Sequence, residues 1–159
     1  MDDVGFEAWY RTEHPRVIGI VAALTGRRDL AVEATDEAFV RAWARWSRVS
    51  KMDAPGAWTV KVALNVARRA HRHATREQMP AAGPEAVPVT DTGLWELVRS
   101  LPLQQRTAIV LRHVGGFTHV EIARAMGVRE GTVGSTLNAA HKKLRGLLAA
   151  PEEEAGVNG

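Results

Sequence analysis

Residues 77–93 carry three prolines and two glycines and show no apolar periodicity. Proline lacks the backbone donor that helix and sheet ladders need, and glycine loses the most freedom on joining them, so such a stretch interrupts both. It is expected to be a linker, flexible in character, that divides the 159-residue chain into units of about 75 and 60 residues. The boundaries that follow are 1–76, a linker at 77–93, 94–149, and a small-residue-rich acidic tail at 150–159 expected to be disordered. Units this small bury modest cores, so docking onto a partner is expected to help hold them.

Outside the linker every apolar repeat is helical, and no run of alternating Val, Ile and Thr is bounded by turns, so the fold class is all-α. The spacing predicts a first helix over about 5–24 that buries Phe6, Trp9, Val17, Ile20, Val21 and Leu24. Pro15 kinks or divides it, and Gly26 ends it. A second helix over about 30–46 sets Phe39, Ala42, Trp43 and Trp46 on one apolar stripe. Trp43 and Trp58 are read as core, while Trp46, beside a loop at 47–54, fits either core or surface. Pro55 suits the first turn of a third helix running to about His73. In the second unit the helical stretches are 94–101 and 104–114, with Leu101, Ile109, Val110 and Leu111 inward and Gly115-Gly116 as the stop.

The most specific local pattern lies at 118–145. Thr118-His119-Val120-Glu121 has the form of a capping box, in which a threonine oxygen accepts from the third helical N–H and a glutamate reaches back. A short helix to Met126, a turn at Gly127 and a second helix from about Glu130 follow. Ile122, Met126, Val128 and Val133 are apolar where two steeply crossing helices share a core, and Ala123 is small where they approach. These offsets describe a helix-turn-helix, whose second helix presents its first turns to the DNA major groove. Here those residues are Arg129, Thr132, Ser135, Thr136 and Asn138, with Thr118 at the cap and Lys142 further along.

Charge adds a second pointer to nucleic acid. Nine Lys/Arg between Arg41 and Arg76 face a single acid, Asp53, whereas the whole chain carries only +3. Concentration on consecutive helices suits a phosphate-facing surface, although a solvated face has the same composition. The acidic start and basic end of the second helix likewise suit the helix dipole. Arginine outnumbers lysine 17 to 4, a bias read as GC-rich coding. No cysteine is present, which removes disulfides, thiol catalysis and cysteine zinc sites. His71 and His73, two apart, do not share a helix face, so no metal or other cofactor is expected. No nucleophile–base pair or phosphate loop appears, so the chain is not expected to be an enzyme or to have a small-molecule substrate. No apolar run reaches membrane-span length, and the acidic N-terminus is unlike a secretory signal, so a cytoplasmic protein with no membrane association is expected.

Four segments in order resemble the extracytoplasmic-function (ECF) RNA polymerase sigma factors of the sigma-70 family. Ala31–Trp43 (AVEATDEAFVRAW) resembles the family's polymerase-binding helix. Pro55-Gly56-Ala57-Trp58 with Asn65 resembles the helix that reads the −10 promoter element. Leu101-Pro102 with Arg106 matches the opening of the C-terminal domain, and Glu121-Ile122-Ala123 with Gly131-Thr132-Val133 matches its helix-turn-helix. The resemblance implies core RNA polymerase (the β′ coiled coil and the β flap) and promoter DNA as partners, with an anti-sigma factor as a further one. It implies polymerase contact through Glu33, Asp36, Glu37, Phe39 and Arg41. It further implies −10 binding through Arg48, Lys51, Lys61, Asn65, Arg68, Arg69 and Arg72, and −35 binding through Thr118, Arg129, Thr132, Ser135, Thr136, Asn138 and Lys142. The chain departs from the pattern on the recognition helix. Gly134, Thr136 and Asn138-Ala139 stand where the family carries cations, so its −35 element is expected to be held weakly. A stand-alone helix-turn-helix regulator and an interaction protein that reads no DNA are the other readings compatible with these residues.

Overall fold

The computed structural model describes residues 3–76 and 92–149, so both the linker and the acidic tail fall outside the described residues, apart from the linker's last two positions. Eight helices follow in order: α1 (Asp3–Thr25), α2 (Arg28–Ala44), α3 (Trp46–Val49), α4 (Pro55–Arg76), α5 (Thr92–Ser100), α6 (Leu103–His113), α7 (His119–Met126) and α8 (Glu130–Ala149). No strand occurs among the described residues. Helix α1 runs unbroken through Pro15, so the proline does not divide it, and it stops at Gly26, whose φ of 70° is the left-handed conformation glycine takes without strain.

Helices α1, α2 and α4 form the first half. Val17, Ile20 and Val21 of α1, Ala31, Ala38 and Phe39 of α2, and Ala57, Val60 and Ala63 of α4 are buried together. The alanines on α2 and α4 let the helices approach closely. At the outer end Phe6, Trp9, Tyr10, Phe39, Trp43 and Trp46 form a continuous aromatic cluster, with Trp9 and Trp46 centroids 5.0 Å apart and Phe6 and Trp43 4.8 Å apart in an edge-on contact.

Two details differ from the sequence reading. The expected loop at 47–54 begins inside a helical turn, because α2 ends at Ala44 and Arg45 (φ −123°, ψ 24°) redirects the chain into α3. That turn buries Trp46 and Val49 and leaves Trp43 at the edge, 36% exposed, where the stripe had placed it in the core.

The second half packs α6, α7 and α8 around Leu111, Phe117, Ile122, Val133, Leu137 and Ala140. It also packs against the first half, with α7 lying along α4 and α6 along α1. A single cluster of buried apolar residues spans both halves, and Ala42, Trp46 and Val49 form a smaller one beside α3. Arg16 of α1 marks this junction. Its Nε donates to the Gly115 carbonyl at 2.6 Å, and its guanidinium lies 4.0 Å from the centre of the fully buried Phe117 ring. Close approach also requires glycine here, since a Cβ on Gly115 would stand 2.7 Å from the Leu111 backbone carbonyl. An exposed ion pair, Arg124 to Asp53 at 3.0 Å, closes the rim.

Candidate nucleic-acid interface

The capping box forms as the residues require. Thr118 Oγ1 accepts from the Glu121 amide at 3.2 Å, and Glu121 Oε1 accepts from the Thr118 amide at 3.2 Å. Two donors at the start of α7 that would otherwise be orphaned are thereby satisfied. Gly127, at φ 68° and ψ 35°, closes α7, and the Val128 amide donates back to the Ala123 carbonyl at 3.0 Å. Val133, Leu137, Ala140 and Leu144, spaced by three and four, then turn one face of α8 inward.

The opposite face is open. Arg129, Thr132, Ser135, Asn138 and Lys142 are exposed and Thr136 is half-buried. Gly134 belongs to the same surface, and apart from its own helix backbone nothing lies within 4 Å of where its Cβ would be. Ser135 Oγ donates to the Thr132 carbonyl at 3.0 Å, so in this rotamer it offers an incoming base an acceptor rather than a donor. The surface is polar, rich in hydroxyls and poor in cations, which suits hydrogen bonding to base edges but supplies little phosphate attraction.

Helix α4 carries the denser charge. Lys61, Asn65, Arg68 and Arg72 recur at helical spacing along one stripe, while Arg69 is exposed outside it. The stripe faces the second half: Lys61, Asn65 and Arg68 border a narrow cavity of about 90 Å³ together with Leu103, Gln104 and Met126. Arg48, at the end of α3, and Lys51, in the following turn, are exposed. The basic residues expected to act together are therefore split between an open end and a stripe partly covered by α6 and α7.

A second surface lies on α2. Glu33, Asp36 and Glu37 are exposed on its outer face, Arg41 is half-buried and ion-paired with Glu37, and Asp36 accepts from His14 Nε2 at 2.7 Å. Phe39 is not part of this surface. It is 3% exposed and packed on Trp9, so its stripe points into the core rather than onto the outer face where the polymerase contact was expected. The apolar members of the outer face are Val40, 67% exposed, and Trp43. Sequence reasoning missed Val40, although its spacing of three, four and seven from Glu37, Asp36 and Glu33 is a signal for one face.

A cleft between α5, α6 and α8 completes the site features, with a volume of about 440 Å³ and a lining that includes Leu94, Trp95 and Val114. At its edge His113 and His141 face each other, Nε2 to Nε2, at 3.0 Å. Burial, the facing His141 and neighbouring Arg112 all push His113 below the ordinary histidine range.

Comparison with known proteins gives two matches to family models. The sigma-70 region 2 model matches residues 9–77, and the sigma-70 region 4 model matches residues 92–144. The chain is 27% identical to the RNA polymerase sigma-E factor of Streptomyces coelicolor, over 94% of this chain and 89% of that one. It is 29% identical to the ECF RNA polymerase sigma factor SigM of Mycobacterium tuberculosis, over 92% and 79% respectively. Among solved structures, the sigma factor RpoE of Bartonella quintana, crystallised with its anti-sigma factor NepR, superimposes with a TM-score of 0.74 at 22% identity, covering 96% of this chain and all of that one. At that identity the likeness is one of fold.

Proposed function

The chain belongs to the ECF branch of the sigma-70 family, the factors that bind core RNA polymerase and direct promoter-specific initiation, and from that premise we propose how its residues divide the work. Residues 1–76 serve as the region 2 domain, which docks on core polymerase and recognises and melts the −10 element. Residues 94–149 serve as the region 4 domain, which reads the −35 element through the helix-turn-helix. The family's members are non-catalytic DNA-binding regulators, so no reaction is assigned. Among the described residues no helix is long and apolar enough to cross a membrane. We place the chain in the cytoplasm, where polymerase meets promoter DNA.

Polymerase contact is assigned to Glu33, Asp36, Glu37 and Arg41, with Val40 and Trp43 replacing Phe39 as the apolar anchors. Exposed apolar side chains among charged ones have the composition of an interface centre with a polar rim. Arg48, Lys51, Lys61, Asn65, Arg68, Arg69 and Arg72 are assigned to −10 DNA, where extracting a base costs a few kcal/mol and needs compensating backbone contacts. Thr118, Arg129, Thr132, Ser135, Thr136, Asn138 and Lys142 are assigned to −35 DNA. The cleft lined by Leu94, Trp95 and Val114 is assigned to the β flap. An anti-sigma factor is a further proposed partner, since the RpoE of similar fold was crystallised with one.

The observation that carries this reading is the open polar face of α8, held by a complete capping box and a left-handed Gly127, in one chain with a basic helix and an acidic-apolar face on α2. Run-off transcription tests it, with core polymerase and this protein on a genomic fragment library. Start sites that depend on the added chain are expected. A library in which none depends on it overturns the assignment.

A further inference from the structure

Where the end of α1 and the start of α2 meet α4 and α6, a cavity of about 570 Å³ opens between the two halves. Its basic members come from both sides: Arg27, Arg68, His71 and Arg72 from the first half and Arg106 from the second. No carboxylate is among the described lining residues. Arg27 is already answered by Asp29 at 2.8 Å, and Arg72 Nε donates to the Arg68 carbonyl at 3.4 Å. Arg106 is different, because its Nε is buried and has no hydrogen-bond acceptor.

Buried donors without acceptors are uncommon in folded proteins, and each calls for an explanation. Like charges gathered around a concave, low-dielectric site repel one another and focus a positive potential on whatever enters it. Guanidinium groups present planar forks that match phosphate oxygens. The floor is apolar, with Leu64 and Leu103 among its members, and could seat a flat organic ring. The volume falls in the range of sites for small ligands, roughly 300–1,000 Å³.

We propose that this cavity binds a small phosphate-bearing anion of the size and chemistry of a nucleoside di- or triphosphate, held between Arg68 and Arg72 of the first half and Arg106 of the second. Such a ligand touches both halves, so it binds the closed arrangement better than a separated one and shifts the population toward it. Because Arg68 and Arg72 are also assigned to −10 DNA, the ligand competes with the promoter. That consequence alone rests on the function proposed above.

Titration calorimetry of the full chain without polymerase or promoter tests the site apart from that function. The probes are ATP, pyrophosphate and a ten-nucleotide oligo-dT. One molecule of ATP is expected to bind per chain, with pyrophosphate displacing it. Arg106→Gln and Arg68→Gln, one from each half, should each weaken ATP at least tenfold with the helical circular dichroism intact. Arg99→Gln, exposed on α5, should leave binding unchanged. Absence of saturable ATP or pyrophosphate binding at millimolar concentration overturns the proposal. So does an equal loss in Arg99→Gln and Arg106→Gln, which marks general charge attraction. Binding of the oligonucleotide alone also overturns it and makes the cavity part of a nucleic-acid surface.

Discussion

Gly134 is where the reading face of α8 is most open to change. Apart from its own helix backbone no heavy atom lies within 4 Å of its missing Cβ, and the position sits inside a 20-residue helix. Replacing it with lysine should have two separable effects. The first is on the helix, since lysine in place of glycine is worth about 0.7 kcal/mol in a helix interior, or a rise of about 2 °C in melting temperature for a chain of this size. The second is on DNA. One further phosphate contact steepens the dependence of log K on log salt by about 0.9, which is about eightfold in affinity near 0.1 M salt. Gly146→Lys provides the matched control, because it too has open space around its Cβ but lies near the far end of α8. Fluorescence anisotropy on a duplex from a run-off-mapped promoter, at 50, 100 and 200 mM salt, reads the slope directly. A Gly134→Lys protein that melts higher but keeps the parental salt slope would refute the assignment of the first turns of α8 to the DNA face. A lower melting temperature would refute the open-space argument instead.

Three further outcomes follow from the same fold. Phe117→Ala removes a fully buried ring at the junction and should cost about 3–5 kcal/mol in urea unfolding; a loss below about 1 kcal/mol would mean that the ring is not part of a packed core. Val40→Asp, on the outer face of α2, should weaken core polymerase binding at least tenfold while leaving the melting temperature within a degree or two, and unchanged polymerase affinity would remove Val40 from that interface. His113 titrates below the ordinary histidine range, so the unfolded chain takes up the proton first as pH falls. Its share of stability is therefore complete above about pH 6.5 and is lost on acidification through the depressed value. Melts between pH 5.5 and 8 should show this slope, and His113→Gln should flatten it; an identical slope in the variant would trace the effect to other groups.

The parts of the structure that depend on neighbours in sequence were legible in advance. Thr118, Glu121 and Gly127 specify α7 and its turn through contacts no more than a few residues long, and each forms as read. The acidic face of α2 needed only helical spacing. What could not be read depends on where the chain turns and on what comes to meet it from far away. The stripe through Phe39, Ala42, Trp43 and Trp46 assumes one continuous helix, and the break at Arg45 moves Trp46 inward and Trp43 outward. Phe39 belongs to both an apolar stripe and a family motif for polymerase contact, and the structure packs it with the stripe. The junction is a still longer-range feature, since Arg16 and Gly115 are 99 residues apart in sequence. No local pattern announces such a pairing, and the proline-rich linker pointed toward independent halves.

The placement of the tryptophans gives the junction an optical signature. Trp9, Trp43 and Trp46 belong to the aromatic cluster at the outer end of the first half, and Trp95 lines the cleft of the second. Trp58 alone sits between the halves, half-buried beside Met52 and Lys61 on one side and Val120 and Arg124 on the other. Separation of the halves would hydrate that indole and move its emission to longer wavelength while the other four kept theirs. The difference spectrum between the parent and Trp58→Phe therefore isolates one chromophore. The chain carries its own unlabelled gauge of how far its halves are apart, readable in real time as polymerase, promoter or a small anion is added.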